Sequence, residues 1–332
     1  MLGAGGLAGQ AYQAGVLTAL EDHLGWDPRS ADVLVGTSAG AVTSSLLRLR
    51  VSASDLAAWA VHAPLSVQGS LVARRMGGDA RQFPPLALTT FLRIPRPPQL
   101  SLINRMLTQP CRVTPEAIAA SMMAAGKIDI CSRVHRLDGL FGDKWPSGLL
   151  VCACRRDDGR RTVFGREGRP EVNLADAVAA SCAIPGYMKP VDIAGISYID
   201  GGVHSTTNAD AIHGHKLDVA VIVAPMSAAH GRAFTIDGLW RLRVHRQIEG
   251  ELPRLRKEGT EIVRIEPGSR VLNAMGLNPM DDSRSARVID AAYEETMARL
   301  KTEPVSKRLA GLGQRQAAIR QVRREGRRAA GA

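Results

Sequence analysis

Aromatic side chains are scarce in this chain: Phe, Trp and Tyr make up 4% of 332 residues. A core must therefore be filled mainly by Ala, Val and Leu. With 45% hydrophobic residues there is enough for one large domain or two small ones. Small apolar side chains suit the close helix–strand packing of a layered α/β protein better than an all-β sandwich. The first twenty residues lack any charged side chain, as a leader or a membrane span does. They also lack a basic n-region, and five glycines with Gln10, Gln13 and Thr18 make the stretch too polar to span. No other run approaches the roughly eighteen apolar residues of a spanning helix. The reading is a cytoplasmic protein, at most peripheral to a membrane, with no signal peptide or transmembrane helix. Cysteines are few and odd in number: Cys111, Cys131, Cys152, Cys154 and Cys182. No paired C-x-x-C sites give zinc spacing, and the set fits a reduced intracellular protein. Internal repeats are absent.

Charge is plentiful but uneven. The formal net charge is +11, and residues 299–332 hold ten Lys/Arg against two acids. The remainder is close to neutral, so residues 1–298 read as the folded domain and 299–332 as a basic tail. No aromatics interleave with the tail arginines, so no nucleic acid partner is expected. An anionic membrane surface is the partner class such a tail fits, and a solvated, frayed terminus is the plain alternative.

The order of elements is that of an α/β sheet. A glycine loop, Gly3-Ala4-Gly5-Gly6-Leu7-Ala8-Gly9, is followed by a helical pattern in Tyr12, Val16, Ala19, Leu20 and Leu24. An apolar strand, Val33-Leu34-Val35, runs into Gly36-Thr37-Ser38-Ala39-Gly40 and then a helix from Ala41 to Leu49. Residues 63–115 are punctuated by eight prolines and read as an insertion over the sheet, either a lid or a fixed element. Hairpins are expected at Leu149–Arg155 with Arg160–Phe164, and at Lys189–Ile193 with Ser197–Ile199. Further strands are expected at Asp218–Ala224 and Glu261–Glu266. Helices are expected at Asn173–Ser181, Gly238–Lys257 and Ser283–Leu300.

The strongest local signal is the G-x-S-x-G run. A strand that turns abruptly into a helix leaves its apical serine in a strained conformation, and Gly36 and Gly40 remove the Cβ clashes around it. Ser38 Oγ is thereby offered at a helix N-terminus, where developing negative charge is favoured. The loop before the first helix, at Gly5, Gly6 and Leu7, presents backbone N–H groups that can converge on an oxyanion. The same arrangement can cradle a dinucleotide, but no strand ending in an acidic residue follows at the required spacing. The serine needs a base. Asp200 ends a strand and is followed by Gly201-Gly202, which permit a tight turn and close backbone approach. Seven histidines follow Ser38, and a classical triad through His204, four residues past Asp200, or through another of them is a rival arrangement.

These segments together resemble the patatin-like phospholipase family over most of residues 3–225. Ala4–Gly9 is similar to its oxyanion loop and Gly36–Gly40 to its nucleophile elbow. Ala180-Ser181-Cys182-Ala183-Ile184-Pro185 is similar to its A-S-x-A-x-P segment, and Asp200-Gly201-Gly202 to its D-G-[GA] motif. The resemblance implies a three-layer α/β/α sandwich with a mostly parallel central sheet and a Ser38–Asp200 dyad without histidine. It also implies hydrolysis of fatty acyl esters, with a lipid as the substrate and no metal or other cofactor. Two features depart from the family pattern. Ala4 and Ala8 replace a glycine and a cation of the loop, and only Met1 and Leu2 stand where a first strand belongs. The second departure implies that the natural protein starts upstream or that the strand is vestigial. Both support an alternative, a catalytically idle lipid-binding or regulatory protein on the same fold.

Overall fold

The computed structural model describes all residues except 78–82, 85–93, 110–112, 141–143, 168–171, 230–234, 303–304, 306, 310–311 and 313–332. Most of the basic tail, part of the 63–115 insertion, Cys111 and His230 therefore lie outside the described residues.

Strands β1 (Leu34–Thr37) and β2 (Leu149–Arg155) pair in parallel, Leu34 opposite Leu149 and Thr37 opposite Cys152. Strand β3 (Arg161–Phe164) returns antiparallel along β2 after a turn at Asp157-Asp158-Gly159. Strands β4 (Val191–Ile193) and β5 (Ile196–Asp200) form the second hairpin, and β5 runs antiparallel to β2, with Asp200 opposite Ala153. Val151 and Cys152 pair with both β1 and β3, while Ala153 pairs with both β3 and β5. Since a strand has two edges, β1 and β5 must share one edge of β2, C-terminal end to C-terminal end. Residues 38 and 200 are brought together by that abutment at Cys152 and Ala153. Strands β6 (Val219–Val223) and β7 (Glu261–Ile265) are parallel.

The sheet is thus mixed, which corrects the expectation of a mostly parallel one. Both hairpins were legible in the sequence. Their short turns oblige antiparallel pairing, because a parallel partner needs a long crossover.

One residue joins β1 to β6. Leu2 bridges in parallel to both Gly36 and Val223. Its N–H donates to the Val35 carbonyl at 2.8 Å, and its carbonyl accepts from Thr37 N–H at 3.1 Å. On the other side Gly3 N–H donates to Val223 O, and Val223 N–H to Met1 O. Below Met1 the slot between β1 and β6 continues as a cavity of about 270 Å³ lined by Val33, Leu34, Val219 and Val221.

Alternate strand residues feed two cores. Leu34, Leu149, Val151 and Ala153 point to a layer formed by α1 (Gly6–Leu24), α2 (Ala39–Arg48) and neighbouring helices. Val35, Leu150 and Cys152 point to the other face, against Val244, Ile248, Leu252 and Leu255. This period of two, apolar on both faces, is what a sheet sandwiched between helices requires. The first helical layer also holds α3 (Ala53–Ala60), α4 (Val67–Met76) and α7 (Cys131–Val134). Helices α5 (Leu100–Thr108) and α6 (Pro115–Met122) lie between α4 and α7 in the chain. Helix α8 (Leu174–Cys182) sits under β2 and β5, and α9 (Ile236–Lys257) supplies the opposite layer. Helices α10 (Ser269–Met275) and α11 (Ser285–Leu300) close the chain, with α11 packed along α1. There Gly15 lets the two helices approach, since a Cβ would stand 2.5 Å from the Ile289 carbonyl. No helix among the described residues is long and apolar enough to cross a membrane.

Candidate active site

The turn from β1 into α2 is as sharp as its sequence demands. Ser38 has φ 54° and ψ −119°, a region that non-glycine residues rarely occupy. Both flanking glycines are needed. A Cβ on Gly36 would come within 2.4 Å of Ala41 Cα, and one on Gly40 within 1.8 Å of Leu2 O. The conformation is held by a contact that motif reading does not supply. Ser38 N–H donates to Ser181 Oγ at 2.9 Å, and the Ser181 hydroxyl donates to Cys152 O at 2.6 Å. Ser181 is fully buried, so strained elbow and central strand are locked through one side chain.

Asp200 lies at the end of β5 with its carboxylate buried. It accepts from Gly202 N–H at 2.7 Å and hydrogen-bonds the Ser38 side chain. Burial pushes its pKa up to about 6, against the pull of those two hydrogen bonds, which favour the charged form. Gly201 permits the approach of the neighbouring strand, since a Cβ there would stand 2.1 Å from Cys152 O. Asn208 secures the following loop in a left-handed conformation, φ 48°. Its side-chain amide donates to Thr37 Oγ1 at 3.0 Å and to Ser205 O at 2.6 Å.

The glycine loop is fastened to the same assembly. Ala4 N–H donates to Thr206 O at 2.7 Å, and the buried Gln13 side chain donates to Gly3 O while accepting from Thr43. Gly5 is the N-cap of α1, and Gly6 takes φ 62°. Among the described residues the backbone N–H groups of Gly5, Gly6 and Leu7 have no hydrogen-bond acceptor, whereas Ala8 N–H is taken by Pro279 O. Unpaired N–H groups at a helix start are intrinsic donors for an anionic oxygen.

Gly6, Leu7, Ser38 and Ala39 border a cavity of about 100 Å³ whose wall is otherwise largely apolar. Val42 and Leu46 come from α2, Leu56 and Trp59 from α3, Ile130 and Val134 from α7 and its N-terminal flank. Among the described residues the 63–115 insertion adds Met76 and Phe83 to the wall. Asp200 stands behind Ser38, off the cavity wall.

His204 does not join them. Burial, then Arg161, push its pKa down to about 4. No hydrogen bond from its ring to Ser38 or Asp200 is present among the described residues, and its carbonyl accepts from Gln247. Sequence reasoning placed Ser38, Asp200, Gly36, Gly40, Gly201, Gly202 and the Gly5–Leu7 loop, and the structure brings all of them together. It missed Ser181 as a structural tie, together with Asn208, Thr37 and Gln13. A seryl side chain inside an alanine-rich helix was the one visible signal among these.

Residues 1–213 match the patatin-like phospholipase family. The chain belongs to that family. The same family therefore accounts for the elbow, the glycine loop and the Asp-Gly-Gly turn in one ordered stretch, and for an α/β fold with a central sheet. Lipid acyl hydrolysis is the activity class of the patatin-like phospholipases. No curated protein sequence matches the chain. Among solved structures, VipD from Legionella pneumophila is similar, with a TM-score of 0.42 and 15% identity. That alignment covers 90% of this chain and 65% of VipD, so this patatin-like chain spans about 65% of that protein's length.

Proposed function

We propose that the protein is a serine lipid acyl hydrolase that cleaves fatty acyl esters through Ser38 and Asp200. The observation that carries this reading is the hydrogen bond between the buried Asp200 carboxylate and a strained Ser38 at the head of an apolar cavity. Ser38 Oγ attacks the ester carbonyl while its proton passes to Asp200. The N–H groups of Gly5, Gly6 and Leu7 receive the oxyanion of the tetrahedral intermediate, and such donors are typically worth about 100–1,000-fold in rate each. Asp200 returns the proton to the departing alkoxide. Water then attacks the acyl-enzyme, giving a proton to Asp200, which passes it to Ser38 Oγ as that oxygen leaves, so that the fatty acid is freed and both residues are restored. A carboxylate with a pKa of about 6 is a stronger base than an ordinary aspartate yet remains ionised at neutral pH. The apolar wall favours an acyl chain over a polar acid component.

The test is turnover of a p-nitrophenyl ester series by wild type, Ser38→Ala and Asp200→Ala, with His204→Ala as comparison. The reading requires loss of turnover in the first two variants and retention in the third. Folded Ser38→Ala that hydrolyses at the wild-type rate would contradict it.

A further inference from the structure

A third cavity, about 490 Å³ and open to solvent, shares no wall residue with the Ser38 cavity, and its wall includes Arg96, Gln99, Leu100, Ser101, Ser121 and Arg156. Three positive features converge on it. Arg156 follows β2 and is 7% exposed, with Met123 O, at 2.7 Å, as its hydrogen-bond acceptor. Burial, then the Arg96 guanidinium, hold the Arg156 pKa below its usual range, and Asp192 opposes this only through space. Among the described residues neither arginine forms an ion pair. A desolvated guanidinium beside a second one is costly unless an anion offsets it. The third feature is the start of α5. Its N-cap, Gln99, makes no side-chain cap, and its first turn holds no acid. The two serines supply no further donor, since Ser101 donates to Asp157 O and Ser121 to Ala117 O.

Leu100 on the wall, with the exposed aliphatic residues that flank it along the chain, says what kind of anion fits. Ile94, Leu100 and Leu107 are 89%, 84% and 78% exposed. Leu100, Ile103 and Leu107 follow a spacing of three and four, which sets them on one face of α5, while Leu102 and Arg105 are buried on the other. An anion pocket edged by protruding aliphatic side chains matches the boundary between lipid headgroups and acyl chains. A free phosphate ion uses none of that apolar edge.

We infer that this cavity binds the phosphate of an anionic lipid headgroup, with α5 laid into the bilayer surface, and that it docks the protein on the membrane. Arginine forks pair with phosphate oxygens bidentately, and the open helix start adds N–H donors. The inference goes beyond the hydrolytic reading and requires no turnover at Ser38.

Its test is vesicle co-sedimentation of the full chain in a Ser38→Ala background, so that failed binding and failed catalysis are read separately. The vesicles are phosphatidylcholine with and without phosphatidic acid. Arg96→Glu should lower the partition onto phosphatidic acid vesicles about tenfold or more, the scale of a reversed charge at a membrane surface. Leu107→Glu should lower it as well. Arg287→Glu, the same charge change at an exposed site on α11, should stay within about twofold of the parent. Equal losses in Arg96→Glu and Arg287→Glu would overturn the inference in favour of diffuse charge attraction. Equal binding to both vesicle types, or complete displacement by millimolar inorganic phosphate with no effect of Leu107→Glu, would overturn it too. The last result would mean a free-phosphate site only.

Discussion

The Asn208 side-chain amide donates to the Thr37 hydroxyl at 3.0 Å, tying the residue before Ser38 to the loop after Asp200. Asn208 is fully buried, and its carbonyl oxygen accepts from Arg161, whose guanidinium is paired with Asp210. The two halves of the proposed dyad are thereby held by one side chain as well as by the sheet.

Asn208→Ala should therefore lower kcat while leaving KM near the wild-type value, because it loosens alignment without touching the acyl cavity. Removing buried donors typically costs about 1–3 kcal/mol of stability. Thr37→Val should reproduce part of the effect, and the double variant should cost less than the sum of the singles. Strict additivity in kcat would show that the Thr37–Asn208 bond does not position the dyad.

Ser181→Ala should be a stability variant first. It strands the Ser38 N–H and removes a donor from Cys152 O in a fully buried space. A loss of about 1–3 kcal/mol is the scale for such groups. Urea unfolding reads it directly, and Ser181→Cys should recover little because sulfur is a weak acceptor.

The Asp200 carboxyl links activity and stability to pH with opposite signs. Its pKa of about 6 sets the acid limb of kcat/KM, so activity should fall as pH drops through that value. The folded pKa lies above the ordinary 3.8, so the group favours the folded state most when protonated. That contribution is complete below the unfolded value and is lost as pH rises through the folded one. Asp200→Asn should accordingly stabilise the fold at pH 8 by about 1–3 kcal/mol, because each tenfold change in proton affinity on folding corresponds to about 1.4 kcal/mol. It should gain little at pH 4, and it should abolish turnover. Urea midpoints at the two pH values decide this.

Chain-length preference should respond to Val42, which lines the cavity one turn beyond Ser38 on α2. Val42→Phe should lower kcat/KM for a long-chain p-nitrophenyl ester more than for the acetate. Each methylene excluded from the apolar wall is worth about 0.8 kcal/mol. A parallel decrease across the series would mean that the acyl chain lies elsewhere.

How far the sequence disclosed this arrangement depended on distance along the chain. The elbow was legible because its sterics are local: Gly36 and Gly40 flank Ser38 within five residues. The Asp-Gly-Gly turn and the unpaired donors before α1 were legible for the same reason. Ser181 and Asn208 act across 143 and 171 positions, and nothing in their neighbours shows what they will touch. The antiparallel hairpins that make the sheet mixed were legible, but the abutment of β5 and β1 on one edge of β2 is a relation that no local pattern encodes. Met1 and Leu2 looked too short to serve as a central strand. Backbone pairing to Val35, Thr37 and Val223 shows how a single bridging residue, with its neighbours, links β1 to β6 at the level of the site.

The most direct measurement is reaction of the folded protein with a fluorophosphonate probe, followed by peptide mass mapping. A single adduct on Ser38, absent from Ser38→Ala and strongly reduced in Asp200→Asn, is the result predicted. A folded wild type that takes up no probe, or takes it up at another serine, would contradict the assignment of Ser38 as nucleophile.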